Sequence, residues 1–452
     1  FDEAHNASAD VEATSRCFLE LIRTGNFKGE ALEQGPDYLQ QFRKANPQPI
    51  PPFGLKHRNL KKASEALARK TAAPKSGLSQ AEIQENQQTL EEVPFAHLHN
   101  HSQFSVLQST IQIKDLVAAA TRLEMPAVAL TDHANMMGAF HFVKEVNAYN
   151  KGLEAQPEEE RKDPIIPILG CEFFVCEDHS NKSVKDYGYQ IVMLAKNKNG
   201  YHNLAKMSSI AYTEGFYYVP RIDREIVKQY KEDLIVLTGN LYGEVPSKIL
   251  NQGEKQAEEA LLWWKEVFGE DLYVEVMRHG QEDEDRANAS LVALAKKHGV
   301  SLVATNNTYY CEKEDAEAHD ILLCVKEGEK QATPVGRGRG YRFGLPNQEY
   351  YFKSQQEMKQ LFHDLPESIV SIQEIIDKIT PFELARDVLL PNFEIPESFE
   401  VAEDRADGGK RGENAYLRHL TLEGAEKRYG EIHTELQERL DFELKTIENS
   451  GY

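Results

Sequence analysis

Apolar stretches alternate with amphipathic stretches along the middle of this chain, and that alternation limits the folds open to it. Between residue 94 and about residue 325, short apolar runs predict strands, and helix-like segments lie between most of them. This order is typical of parallel βα units, whose helices cover the sheet. The pattern therefore predicts an α/β fold, and its seven strands with short connections favour a distorted barrel related to the TIM barrel. The predicted strands are 95–99, 127–130, 165–175, 190–194, 234–237, 272–276 and 300–305, and the predicted helices are 114–123, 135–149, 201–212, 254–268 and 285–298.

Side chains that commonly bind metals follow or end three of these strands. His97, His99 and His101 alternate along the first, so on an extended strand they point to one face. The second strand is followed by His133, and the third contains Glu172 after a Gly-Cys pair. Because strand ends of neighbouring βα units meet at one edge, and imidazole and carboxylate are common metal ligands, the pattern predicts a divalent-metal site.

Length, charge and cysteine content narrow the class of protein. A chain of 452 residues with 40% hydrophobic residues predicts roughly two to four domains with sizeable cores. The net charge of −21 argues against a simple nucleic-acid coat, although local basic contacts stay open. Five cysteines, few and odd in number, are typical of a reducing cytoplasm. We see no signal peptide or membrane-spanning run, and both ends of the sequence indicate an internal piece of a longer protein.

The motifs resemble those of a known family. His99-x-His101, Thr131-Asp-His133 and Gly170-Cys-Glu172 are similar to the first motifs of the polymerase and histidinol phosphatase (PHP) domain. Their context resembles bacterial replicative DNA polymerase III alpha subunits over about residues 94–452. The resemblance implies a PHP-type (βα)7 distorted barrel followed by the start of a polymerase palm. The further segments that carry it are 95–105, 194–204, 215–223, 315–320, 350–354 and 438–444.

A second resemblance lies at the N-terminus. The run His5-Asn-Ala-Ser-Ala-Asp10, followed by a Leu-containing helix, resembles the third motif of DnaQ-type proofreading 3′–5′ exonucleases. That resemblance implies that His5 is a general base and that Asp10 holds one of two catalytic Mg²⁺ ions. The spacing alone is unspecific, but directly before an alpha-subunit PHP domain it indicates a fused exonuclease whose other acidic motifs lie upstream.

Together these patterns divide the chain into five parts. They are the C-terminal end of an exonuclease (1–25), a linker (26–93), the PHP domain (94–330), a PHP-to-palm connection (331–384) and the N-terminal part of the palm (385–452). The linker contains a basic stretch, which we interpret as solvated, with transient contact to DNA phosphates as the alternative.

The chain departs from the family at several metal-ligand positions. Where an intact centre has Asp, His, Cys and Asp-x-His, this chain has amides and a phenol. These groups keep hydrogen bonds and fill similar space, but they bind Zn²⁺ or Mn²⁺ poorly. The lost-ligand positions are Gln108, Gln190, Asn240, Asn307 and Tyr309, and the ligands that remain are His99, His101, His133, Glu172 and His279.

The resemblance implies a fragment of a catalytic alpha subunit, which performs template-directed DNA synthesis with Mg²⁺ on palm aspartates beyond Tyr452. We expect a degenerate PHP barrel that acts as a scaffold, with its Zn²⁺ or Mn²⁺ absent or reduced to one ion, and proofreading by the fused exonuclease. The implied partners are primer–template DNA, deoxynucleotides, the sliding clamp and the clamp loader, in the cytoplasm and without a membrane. The alternative is an active metal-dependent PHP phosphoesterase or proofreading exonuclease. No DNA-contacting residue of the fragment is assigned.

Overall fold

The computed structural model describes residues 7–27, 35–51, 80–157, 159, 161–336, 338–386 and 393–451. It divides the chain into two compact units, Phe1–Phe382 and Glu383–Tyr452. His5 lies outside the described residues, as does most of the predicted linker. Among the residues that are described, no helix is both long and apolar enough to cross a membrane.

The first unit is built on a seven-stranded sheet in the order β1-β2-β3-β5-β6-β7, with β4 beside β2. Six of the seven predicted strands are confirmed to within one or two residues at their ends. Strand β4 was not predicted, because three residues are too few to show a pattern. The strands are β1 (Ala127–Leu130), β2 (Ile166–Cys176), β3 (Tyr189–Ala195), β4 (Arg221–Asp223), β5 (Leu234–Leu237), β6 (Leu272–Val276) and β7 (Ser301–Ala304). Strands β1, β5 and β6 are buried along their whole length, as expected where a sheet is covered on both faces.

The prediction of an all-parallel sheet is wrong for β3, which pairs antiparallel with both β2 and β5. The reason lies in the connection from β2 to β3, since residues 177–188 contain no helix. A parallel neighbour needs a crossover, usually a helix, whereas an antiparallel neighbour needs only a turn. The pairs β1–β2, β5–β6 and β6–β7 are parallel, as predicted.

The predicted strand 95–99 is also wrong, because this segment is irregular and makes only an isolated bridge, between Asn100 and Thr308. The side chain of Asn100 donates to the carbonyl oxygens of His97 and Ala129, which interrupts a regular ladder. The backbone still bridges two edges, since the Ala129 amide donates to the His97 carbonyl and the His101 amide donates to the Thr308 carbonyl. The histidine segment therefore links β1 to the residues that follow β7.

Helices flank these strands in chain order. All five predicted barrel helices are present, with shifts of up to five residues at their ends. The helices of the first unit are α1 (Ala7–Thr24), α2 (Gly35–Ala45), α3 (Gln80–Glu92), α4 (Ile113–Arg122), α5 (Ala139–Glu154), α6 (Lys198–Thr213), α7 (Arg224–Gln229), α8 (Glu244–Asn251), α9 (Glu254–Phe268), α10 (Glu282–His298), α11 (Ala316–Glu327), α12 (Gln355–Leu361) and α13 (Glu367–Asp377). Helix α9 shows the packing, since one apolar stripe that includes Leu261 and Trp264 is buried and its other face is charged.

The second unit is helical in its described part. It contains α14 (Ala402–Asp407), α15 (Arg411–Tyr429) and α16 (Thr434–Asn449). Arg418 of α15 forms an ion pair with Asp441 of α16 at 2.5 Å. Of the described residues in these helices, only Gly412 and Ala425 are buried.

The turn after β5 depends on Gly239. Its φ is +83°, and a Cβ atom at this position would lie 2.1 Å from the carbonyl oxygen of Gln190. Gly299 also has a positive φ (+59°), but a Cβ atom there would meet nothing within 4 Å.

We expect Gly239→Ala to lower the free energy of unfolding by about 3 kcal/mol, because backbone strain and overpacking add. Gly299→Ala, which meets strain alone, should cost about 1 kcal/mol. Urea denaturation followed by circular dichroism measures both, and equal losses would contradict the role of the Gln190 contact.

Candidate functional site

The histidine segment is held against β1 by Asp132. Both carboxylate oxygens of this buried residue accept hydrogen bonds, from the amide and hydroxyl of Ser102 and the hydroxyl of Ser105, each at 2.7 Å. The neighbouring His133 forms a parallel backbone bridge with Glu172 of β2. The Asp-His pair thus has two roles, since Asp132 positions the loop and His133 enters the site.

Three imidazoles surround the carboxylate of Glu172. The Oε2 atom of Glu172 lies 3.0 Å from His101 Nε2 and 2.7 Å from His133 Nδ1, and its Oε1 atom lies 3.5 Å from His99 Nε2. All four side chains are buried. The structure therefore brings together four of the five ligands that the sequence predicted to remain.

Glu275 is a site residue that the sequence interpretation missed. Its Oε1 atom lies 2.8 Å from His99 Nδ1 and accepts a hydrogen bond from the Thr305 hydroxyl at 2.5 Å. Glu275 is buried in the middle of β6, whose other residues are apolar. An isolated glutamate inside such a run is the signal that could have found it, because a buried carboxylate needs a partner.

The titration behaviour of the cluster follows from its two buried carboxylates. Burial alone would lower the pKa of His99, but the charge and hydrogen bond of Glu275 and the nearby carboxylate of Glu172 outweigh it and raise the pKa to about 10. Burial and the adjacent His133 lower the pKa of His101 to about 3. Burial also favours a neutral Glu172, yet the surrounding imidazoles hold its pKa well below the usual range. In the absence of a cation, a proton on His99 therefore offsets part of the negative charge of the cluster.

The donor atoms of His99, His101 and Glu172 lie within 4.8 Å of one another. His99 Nε2 is buried and has no hydrogen-bond partner, while Glu275 holds the opposite ring nitrogen. A carboxylate on the far nitrogen is the arrangement that orients a metal-binding histidine. These residues fit one divalent ion with a preference for nitrogen and oxygen ligands, such as Zn²⁺ or Mn²⁺. When bound, such an ion would polarise a substrate oxygen and acidify a water molecule.

The lost-ligand positions surround one cavity of about 160 Å³ beside this cluster. The Asn240 amide donates to Glu172 Oε1 at 3.1 Å and to Gln190 Oε1 at 2.9 Å. Tyr309 places its hydroxyl 3.3 Å from His133 Nε2. The Asn240 amide and the Tyr309 hydroxyl therefore contact atoms that further metal ions would need as ligands. The residues do not fit a multi-ion centre. The cavity is lined by all five predicted positions, Gln108, Gln190, Asn240, Asn307 and Tyr309, together with His133 and His279.

Two of the histidines singled out in the sequence, His279 and His97, do not contact Glu172. Both ring nitrogens of His279 are engaged, Nδ1 with Glu284 Oε1 at 2.6 Å and Nε2 with the Asn306 carbonyl at 2.9 Å. Although His279 lines the cavity, it is not free to bind a metal. His97 does not reach Glu172 either, since its Nε2 lies 2.8 Å from the Lys353 carbonyl, and burial lowers its pKa to about 4.

The exonuclease motif has a different outcome. Asp10 lies in α1, but its side chain is outside the part of the chain that the structure describes, as is His5. The catalytic roles of these two residues remain predictions.

Residues 97–279 match the PHP domain family, so the barrel and its buried cluster define a PHP domain. Over 363 residues the chain is 37% identical to DNA polymerase III subunit alpha of Borreliella burgdorferi, covering 79% of this chain and 29% of that protein. The alpha subunit of Treponema pallidum is 36% identical over 358 residues, covering 78% of this chain and 28% of that protein. A solved amidohydrolase from Chromobacterium violaceum is 11% identical with a TM-score of 0.31, covering 47% of this chain and 87% of that one.

The chain therefore contains a PHP domain and is homologous to DNA polymerase III alpha subunits over about 79% of its length. It spans less than a third of the length of those two alpha subunits.

The donor set predicts how much metal the chain can hold. We expect at most one equivalent of zinc or manganese in the purified, untagged chain, measured by elemental analysis. The double substitution His99→Ala, His101→Ala should remove it, because His133 and Glu172 alone offer too few donors. A matched control is His141→Ala, His202→Ala, which changes two exposed histidines. Two or more equivalents, or metal kept by the first variant, would contradict the assignment.

The raised pKa of His99 predicts a dependence of stability on pH. An unfolded histidine titrates near pH 6.5, so the stabilisation by charged His99 is complete below that value and is lost as pH rises toward about 10. In chelator, we expect the free energy of unfolding of the chain to fall between pH 6.5 and 9. His99→Gln should flatten this slope, whereas His202→Gln should keep it. Urea denaturation across that range measures both, and an unchanged slope in His99→Gln would refute the charge assignment.

Proposed function

We propose that this chain is part of a replicative DNA polymerase III alpha subunit, and that its PHP barrel is a scaffold without a multi-ion hydrolytic centre. One observation carries the proposal. Asn240 donates to both Glu172 and Gln190, so an amide network closes around the central carboxylate where an intact centre needs further metal ligands. A barrel whose ligand positions hydrogen-bond to one another retains its shape without the chemistry.

The whole protein's activity is part of the same proposal. Similarity to alpha subunits extends over 79% of the chain, more than the PHP match at residues 97–279 covers. As part of this proposal, a palm begins near residue 385. DNA synthesis would then use Mg²⁺ on palm aspartates, with primer–template DNA and deoxynucleotides as substrates and the clamp and clamp loader as partners. The His5–Asp10 motif supports a fused proofreading exonuclease upstream of a linker at 26–93.

A second candidate is a single-metal phosphoesterase. The observation that favours it concerns His99 Nε2, which is buried without a hydrogen-bond partner. It lies with His101 and Glu172 in a group that fits one ion. A single Lewis acid would be enough to polarise a phosphate ester, so this candidate predicts that the unmodified chain hydrolyses phosphate esters.

Hydrolysis assays separate the two candidates. We expect the purified chain to show no turnover of an aryl phosphate or of DNA 3′ ends in Zn²⁺, Mn²⁺ or Mg²⁺, because its cavity lacks the ligands that a multi-ion centre needs. The combined substitution Asn240→Cys, Asn307→Asp, Tyr309→His should raise metal content if only ligands are missing.

Turnover by the unmodified chain that disappears in His99→Ala, His101→Ala would favour the phosphoesterase and exclude the scaffold. The scaffold role has its own readout in a longer protein that includes the polymerase. There, Gly239→Ala should lower the stability of the polymerase, whereas the two histidine substitutions should leave DNA synthesis intact.

A further inference from the structure

Neutral groups dominate the cavity beside Glu172. Neither lysine nor arginine is among its described lining residues, whereas the carboxylates of Asp283 and Glu284 are. An anionic phosphate would therefore find no counter-charge within it. A neutral guest is favoured, because the lining offers amides that both donate and accept hydrogen bonds. Those amides belong to Gln108, Gln190, Asn240, Gln281 and Asn307.

Asn307 leaves a buried hydrogen-bond acceptor unused. Its side chain is 5% exposed, and its Oδ1 atom is buried without a hydrogen-bond partner. Its φ is +42°, a left-handed conformation that is uncommon outside glycine and that Asn tolerates better than most residues. Buried acceptors without partners are costly, and strained residues cluster at binding sites. Because Asn307 lines the cavity, rotation of its amide would present this oxygen to an N–H group of a guest.

Flat aromatic faces are held rigidly in the same lining. The Tyr350 ring stacks on His279 at 3.8 Å with an interplanar angle of 9°, and both nitrogens of that imidazole are already bonded. Tyr309 stacks on His101 at 4.4 Å with an angle of 6°. Rings that are fixed by their neighbours lose little freedom when a planar guest binds.

We propose that this cavity binds a nucleobase, a neutral planar ring that carries both N–H donors and carbonyl or ring-nitrogen acceptors. The proposal rests on the proposed function, since it requires amides rather than a multi-ion centre in the cavity. Lys326 lies at the rim, with Nζ 3.1 Å from Gln108 Oε1 and 5.6 Å from the Phe343 ring. A base that enters edge-first would leave its sugar, and any phosphate, beside that ammonium group. The base can come from a free nucleoside or from an unpaired end of a DNA strand.

Calorimetric titration of the purified chain in chelator tests this. The probes are thymidine, adenosine, a short oligothymidylate and inorganic phosphate. We expect saturable binding of at least one nucleoside or of the oligonucleotide, and no competition by inorganic phosphate. Asn307→Gly, which tolerates the positive φ, and Gln190→Met should each weaken binding by about tenfold, the effect of one lost hydrogen bond. Gln252→Met changes an exposed amide outside the cavity and should leave the affinity unchanged.

The outcomes separate cleanly. Tighter binding of the oligonucleotide identifies a strand end as the source, and equal or weaker binding identifies a free nucleoside. No binding of any base-containing probe at millimolar concentration overturns the proposal, as does binding that needs added Zn²⁺ or Mn²⁺ or that survives both cavity substitutions. If Asn307→Gly fails to fold, Gln190→Met decides alone. Hydrolysis of an aryl phosphate would instead overturn the scaffold function, so the two failures are distinguishable.

Discussion

The carboxylate of Glu172 is the interaction on which the centre of the barrel depends. A buried carboxylate is costly unless hydrogen bonds or opposite charges replace the lost water. Here His101, His133 and the Asn240 amide lie within 3.1 Å of its oxygens, and His99 Nε2 lies 3.5 Å away. These partners come from the histidine segment, from the residue after β1 and from the turn after β5, so one charge ties together distant parts of the chain. Glu275 extends the same logic to β6 through His99.

That arrangement keeps the Glu172 carboxylate buried beside amides instead of further metal ligands. An amide cannot bind a metal as a carboxylate or thiolate does, but it can donate to a carboxylate, and Asn240 does so. The hydrogen-bond requirement of Glu172 is met in a way that needs no ion.

Much of the fold was accessible from periodicity, because buried strands such as β1, β5 and β6 are short apolar runs with clear boundaries. The antiparallel course of β3 was not, since periodicity carries no information on strand direction. The irregular histidine segment was missed because Asn100 diverts its backbone through side-chain hydrogen bonds, which a pattern of alternating residues does not reveal. In the site, His133 and Glu172 were predictable from the apolar strands that precede or contain them. His99 and His101 were predictable from the alternation of histidines, although their segment is not a strand. The engagement of His279 with Glu284 was not, because that bond depends on how α10 begins.

The position of His99 between Glu172 and Glu275 has a consequence for how such a chain matures. A proton on His99 comes with the folding chain and offsets part of the charge of these carboxylates, so the cluster can close without a metal delivery step. The barrel would then reach its final form equally well in a metal-starved cell and in a replete one.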